Sequence, residues 1–179
     1  MSRPCPPSPR SGFTLLEVVV SSAVLVVGLL ALGSSTLRIH NLREHTVERR
    51  LAENALRGIS EEIRGASRGT RRDADWLAAL VARYGPGAPG ASFAVEGLTP
   101  ADGADAVGTI QLVLDERVGD ADLGVALGLP RDLNGDGDDD DADVGATATL
   151  VPVVVRLAWS SDGATRRATH GFYLLGFGQ

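Results

Sequence analysis

The sequence has 179 residues, a length that fits one ordinary folded domain with an appended segment and is too short for two large domains. Its formal net charge is −6 at pH 7. Seven aspartates between residues 132 and 143 contribute −7, so the remainder of the chain carries about +1. No strong basic surface is therefore expected, and this argues against a nucleic-acid-binding protein. The single cysteine, Cys5, excludes an internal disulfide.

A long apolar segment near the N-terminus predicts a membrane-spanning helix. Residues 13–33 contain one ionisable side chain, Glu17, and about 21 helical residues cross a hydrocarbon layer of roughly 30 Å. This segment is longer than the apolar core of a cleaved secretory signal, which has about 7–15 residues. The preceding residues carry Arg3 and Arg10 and no acid, so the positive-inside rule predicts a cytoplasmic N-terminus and an exported C-terminal part.

Glu17 places a carboxylate inside this apolar segment. Because an ionised group in hydrocarbon is costly unless it is paired, an acid at this position indicates a function. The alternative interpretation is an incidental acid whose carboxylate reaches the interface near the helix end.

The stretch GFTLLEVVV, after a short basic leader, resembles the class III signal of type IV pilins and pseudopilins. The resemblance implies that a prepilin peptidase cleaves between Gly12 and Phe13 and methylates the new N-terminus. It also implies that Glu17, the fifth residue of the mature chain, pairs with the amino group of Phe13 in a neighbouring subunit and sets the axial stagger; pairing within one helix is also possible. The similarity covers about residues 10–65, and VVGLLALGSS and LAENAL are most similar to minor pilin V and minor pseudopilin I.

Apolar residues recur at steps of three to five after the span, which predicts one helix from residue 13 to about residue 66. These residues are Leu37, Leu42, Val47, Leu51, Leu56, Ile59 and Ile63. We interpret the stripe as a face that packs on a folded head, the alternative being a coiled-coil seam for a partner helix. Gly65 and Gly69 offer places for the helix to stop.

A short second helix is predicted for RRDADWLAALVARYGPG. Asp73 is suited to the N-cap position, and Gly85 is suited to the helix end before a proline. Trp76, Leu80 and Tyr84 fall on one face of this helix.

Alternating apolar residues then predict strands. TIQLVLDE places Ile110, Leu112 and Leu114 on one face, and LVPVVVRLAW followed by TRRATHGFYLL predicts a hairpin with its turn at residues 161–163. The predicted fold class is α+β, a long N-terminal transmembrane helix packed on a small antiparallel β-sheet head, the lollipop shape of pilins. The predicted segments are a cleaved leader (1–12), a transmembrane and assembly half of the helix (13–35), an outer half (36–67) and an exported head (68–179).

The acidic stretch DLNGDGDDDDAD, residues 132–143, resembles the calcium loop of EF-hands and dockerins. Such a loop places hard oxygen ligands at positions 1, 3, 5, 7, 9 and 12 and a glycine, here Gly137, at position 6. The corresponding candidate ligands are Asp132, Asn134, Asp136, Asp138, Asp140 and Asp143. The aspartate at position 12 and the non-helical flanks argue against an EF-hand fold, and a solvated acidic loop without metal is the alternative.

No arrangement typical of an enzyme accompanies these features, and His170 falls on a predicted strand between polar neighbours. The sequence therefore predicts a non-catalytic minor pilin or pseudopilin of a type IV pilus or type II secretion filament. The resemblance implies a single pass through the inner membrane, with the head in the periplasm or on an extracellular filament. Its implied partners are prepilin peptidase, other pilins or pseudopilins and an inner-membrane assembly platform. The alternative function is a membrane-anchored periplasmic binding or adhesion module displayed on the filament.

Overall fold

The structure is a computed structural model that describes residues 14–70 and 75–176, and for residues 34–43, 69 and 70 it describes the backbone alone. The chain divides into two compact units, Met1–Glu44 and His45–Gln179. From here on the second unit is called the head, which therefore includes the end of the predicted long helix as well as the predicted head, residues 68–179. An apolar N-terminal helix and an antiparallel β-sheet in the C-terminal part confirm the predicted α+β class. Gly12 and Phe13, the predicted processing residues, lie outside the described part of the chain.

Helix α1 extends over Leu15–Thr70 and therefore continues beyond Gly65, which the sequence suggested as one possible end. A glycine inside a helix costs about 1 kcal/mol relative to alanine. Ser67, two residues further on, is fully buried, and Ala66 packs against the core. Packing of the residues after Gly65 thus offsets its low helix propensity.

The part of α1 within the head presents a buried stripe to the core. Ala52, Leu56 and Ile63 are buried at steps of four and seven residues, as one face of a helix requires. Leu51 and Ile59 border the same stripe. Val47, also predicted for the stripe, is 56% exposed, and the side chains of Leu37 and Leu42 are not among those described.

Helix α2, Trp76–Tyr84, follows the prediction for the second helix. Trp76, Leu80 and Tyr84 are all buried, so the predicted apolar face is the one that packs on the core. The helix ends before Gly85, whose N–H donates to the Val81 carbonyl at 2.8 Å. The predicted N-cap, Asp73, lies outside the described residues.

The described residues of the head form one antiparallel sheet of five strands and a short third helix. The elements are β1 (Ser92–Phe93), β2 (Thr99–Pro100), β3 (Gly108–Leu112), α3 (Asp120–Leu123), β4 (Leu150–Ser161) and β5 (Ala164–Leu175). Strand β4 pairs with β5 over its whole length, and β3 and β2 pair with successive parts of β4. Because β5 occupies one edge of β4 completely, β3 and β2 share the other edge.

Strand β4 is the centre of this sheet, and both of its faces are covered. The predicted inward residues from Val151 to Trp159 are buried, but Pro152 and Val154 on the opposite face are buried as well. The predicted hairpin is confirmed: Asp162 and Gly163 connect β4 to β5 with φ of 49° and 72°. Two consecutive positive φ values are typical of the tight turn that matches the twist of a β-hairpin.

Candidate functional sites

The first turn of α1 places Glu17 at the third helical position. The Glu17 N–H donates to the carbonyl and to the hydroxyl oxygen of Thr14, at 3.0 and 3.3 Å, so Thr14 acts as the N-cap. A carboxylate in the first turn also interacts favourably with the helix dipole. Glu17 therefore has a local role at the helix start, which the sequence analysis did not consider.

The segment that follows is suited to an apolar environment. Leu15–Gly33 has 19 residues and a mean hydropathy of 2.6, and none of this segment is buried within the protein. Its leucines and valines are more than half exposed, from 53% at Val20 to 84% at Leu15. A core helix of a soluble domain would bury one face, so this exposure fits a single-pass membrane anchor.

The acidic loop, residues 132–143, is closed on the head by buried residues near its two ends. Leu133 is fully buried, and its carbonyl accepts hydrogen bonds from the N–H groups of Thr149 and Leu150 at 2.8 and 2.9 Å. Val144, just after the loop, is 1% exposed, and its N–H donates to the Leu114 carbonyl at 2.8 Å. The loop is thus tied to the end of β3 and to the start of β4.

Short acidic side chains shape the first half of this loop. The Asp132 carboxylate accepts hydrogen bonds from the N–H groups of Gly135 and Gly137, which have φ of 88° and 105°. These bonds, that of Gly135 first, hold the pKa of Asp132 below its usual value. Asn134 and Asp136 likewise accept bonds from N–H groups two residues further on. The backbone bends where glycine tolerates the left-handed conformation.

Negative charge accumulates in the second half of the loop. The N–H of Asp140 lowers the pKa of Asp138, but the charge of Asp136, desolvation by neighbouring atoms and the charges of Asp140 and Asp141 outweigh it. The pKa of Asp138 therefore lies above its usual value.

A buried carboxylate from outside the loop completes this region. Glu116 is 0% exposed, and its Oε1 atom accepts hydrogen bonds from the N–H groups of Leu133 and Asn134 at 2.6 and 3.2 Å. Its own N–H donates to the Asp141 carbonyl at 3.0 Å. The other oxygen, Oε2, is buried and has no hydrogen-bond partner among the described residues.

Glu116 lies beside two aspartates of the loop. One carboxylate oxygen each from Glu116, Asp138 and Asp141 fall within 4.8 Å of one another. Twice the calcium–oxygen distance, about 4.6–5.2 Å, is the largest separation that two ligands of one ion can have. The three oxygens are thus close enough to share a single cation.

Only one of the six predicted ligands, Asp138, belongs to this group of three acids. Asn134 and Asp136 lie beside it, since the Asn134 amide donates to Asp136 and to Asp141 at 2.9 and 3.1 Å. Asp132 is engaged with backbone N–H groups, as is Asp143, whose carboxylate accepts a bond from the Gly145 N–H at 2.8 Å. Asp140 is exposed.

The sequence analysis missed Glu116, although a signal for it was present. Ile110, Leu112 and Leu114 alternate on the inward face, and continuing the alternation brings Glu116 to that same face. An acid that follows apolar residues at strand spacing is a candidate for burial, and a buried acid needs a partner.

Comparison with known proteins bears on the N-terminal segment. The prokaryotic N-terminal methylation motif matches residues 7–33, which include Gly12, Phe13 and Glu17. This match supports a type IV pilin-like chain, a structural subunit that is processed at its N-terminus. Searches of curated proteins and of solved structures each found no match.

Proposed function

We propose that this chain is a minor pilin or pseudopilin, a non-catalytic subunit of a type IV pilus or type II secretion filament. In this role prepilin peptidase removes residues 1–12 and methylates Phe13. Residues 15–33 then hold the chain in the inner membrane, with the head in the periplasm until an assembly platform adds the subunit to a filament.

One observation carries the proposal. The N-terminal methylation motif over residues 7–33 coincides with the apolar first part of α1, Leu15–Gly33, whose side chains are not buried within the protein. A helix of this kind needs either lipid or neighbouring helices around it. A filament subunit meets both environments in turn, first the bilayer and then the packed helices of its neighbours.

Glu17 supports assembly rather than simple anchoring. A plain anchor would gain from an apolar residue at this position, because a charge in a transmembrane helix lowers the favourable free energy of insertion. After cleavage, the ammonium group of Phe13 supplies the opposite charge, and a neighbouring subunit offers a second copy of it.

The test of processing is the intact mass of the protein extracted from membranes. We expect the loss of residues 1–12 and the added mass of one methyl group on Phe13. The Gly12→Leu variant should retain the leader, since a bulky side chain at the cleavage site excludes it from the peptidase. A mature wild-type protein that still contains Cys5 would refute the proposal.

A further inference from the structure

We propose that Glu116, Asp138 and Asp141 form a divalent-cation site, calcium by its ligand chemistry, with Glu116 as the buried ligand. The ion would join the acidic loop to the segment that follows β3. This proposal does not rest on the proposed function, because the three acids lie in the head and the proposed function is argued from the N-terminal segment.

The unpartnered oxygen of Glu116 is the first argument. Oε1 is occupied by two backbone N–H groups, whereas Oε2 is buried without a hydrogen-bond partner among the described residues. A buried polar atom without a partner is strongly unfavourable, and a carboxylate oxygen more so. A cation is one partner that satisfies this oxygen without moving the backbone.

The arrangement of charge is the second argument. Two aspartates of the same loop bring oxygens within 4.8 Å of Glu116, where the three carboxylates repel one another. The backbone nevertheless holds this arrangement from both sides. The Glu116 N–H donates to the backbone carbonyl of Asp141, and the Glu116 carboxylate accepts from the backbone N–H groups of Leu133 and Asn134. The fold thus positions three acids that a divalent cation would neutralise.

The donor set favours calcium over other divalent ions. All three groups are carboxylates, and the Asn134 amide N–H groups hold the Asp136 carboxylate beside that of Asp141. Calcium accepts about 6–8 oxygen ligands in irregular geometry, whereas magnesium requires a near-ideal octahedron and usually retains several waters. The described part of the head offers no histidine or cysteine in this group, so zinc is not favoured.

The experiment uses the full chain in detergent micelles, freed of metal with a chelator and then titrated with calcium chloride. We expect 1 mM calcium to raise the unfolding midpoint by roughly 3–6 °C, the shift produced by a ligand present at about ten times its dissociation constant. Magnesium at the same concentration should produce less than half of this shift.

Three variants, each of which removes a single carboxylate charge, identify the ligands. Glu116→Gln keeps an Oε1 acceptor for Leu133 and Asn134 but removes the charge, so it should abolish the calcium shift while raising the midpoint in chelator. Asp141→Asn should abolish the shift as well. Asp139→Asn is the control: it removes one charge from an exposed residue of the same loop and should retain the calcium shift.

Calorimetric titration provides the second readout, with at least a tenfold weaker dissociation constant expected for Glu116→Gln than for Asp139→Asn. If Glu116→Gln does not fold, Asp138→Asn takes its place in the comparison. Equal calcium shifts in Glu116→Gln and wild type would overturn the assignment of Glu116. Superimposable wild-type melting curves in 1 mM calcium and in chelator would overturn the site as a whole.

Discussion

Ile63 offers the sharpest test of how the outer part of α1 is used. Its side chain is fully buried in the core of the head, and the guanidinium of the next residue, Arg64, lies 4.7 Å from the centre of the Phe172 ring on β5. If the stripe is core, truncating Ile63 lowers the stability of an isolated subunit. If it is a seam for a partner helix, stability of the isolated subunit is unchanged.

The expected magnitude follows from the three carbon atoms that Ile63→Ala removes. At about 0.8 kcal/mol for each buried group, the lost transfer free energy is about 2.4 kcal/mol. The cavity left behind adds to this, and the higher helix propensity of alanine subtracts about 0.4 kcal/mol. We therefore expect the free energy of unfolding to fall by about 3 kcal/mol, and by about 1 kcal/mol for Ile63→Val.

Urea unfolding of the full chain in micelles, followed by tryptophan fluorescence, measures this loss. Trp76 and Trp159, the only two tryptophans, are both buried in the head, so the signal reports the head alone. Val47→Ala on the same helix is the control, because this valine is 56% exposed and its truncation should change stability by less than about 0.5 kcal/mol. A loss below about 1 kcal/mol for Ile63→Ala would refute the assignment of the stripe to the core.

Two further predictions concern single carboxylates. Glu17→Gln keeps a polar side chain at the third helical position but removes the charge, so it should leave membrane insertion intact and reduce incorporation into filaments. Immunoblotting of sheared filaments measures this incorporation, with Ser22→Ala as the control. Normal incorporation of Glu17→Gln would mean that the charge is not needed. Asp120 accepts bonds from the N–H groups of Gly128, Leu129 and Leu127, which hold its pKa below the usual value. A carboxylate whose pKa is lower in the folded state than its unfolded value of about 3.9 stabilises the folded protein at pH values above that value. The difference in melting midpoint between wild type and Asp120→Asn should therefore be largest above about pH 5 and shrink as the pH falls further. A difference that is constant from pH 7 to pH 3 would contradict this expectation.

The elements with strong periodicity were predictable from the sequence. Alternation in β4 and β5, with the Asp162–Gly163 turn between them, is a local pattern that the fold preserves. The two-residue strands β1 and β2 are too short to show any period, and their pairing partners lie 15 or more residues away. Burial of both faces of β4 also depends on tertiary packing, because an apolar run by itself does not reveal what covers it.

The acidic loop shows the same division between local and distant information. Its spacing placed Gly137 at position 6, and there the Gly137 N–H donates to the Asp132 carboxylate while the backbone has a positive φ. The buried carboxylate beside it comes from Glu116, which is 16 residues earlier than Asp132 in the chain. A motif defined within twelve residues cannot contain such a contribution, and only the pairing of residues 114–116 with the loop brings it into place.

The position of β5 at the border of the sheet has a consequence for heads that are held close together. Among the described strands β5 pairs with β4 alone, so no described strand pairs with its outer row of backbone groups. An unpaired edge strand can pair with the edge strand of another copy, which leads to aggregation. Arg166 and Arg167 are exposed on this strand, and antiparallel pairing of two copies would bring their like charges together. The two arginines would thus oppose the pairing of two heads through β5 in a register that sets them opposite each other.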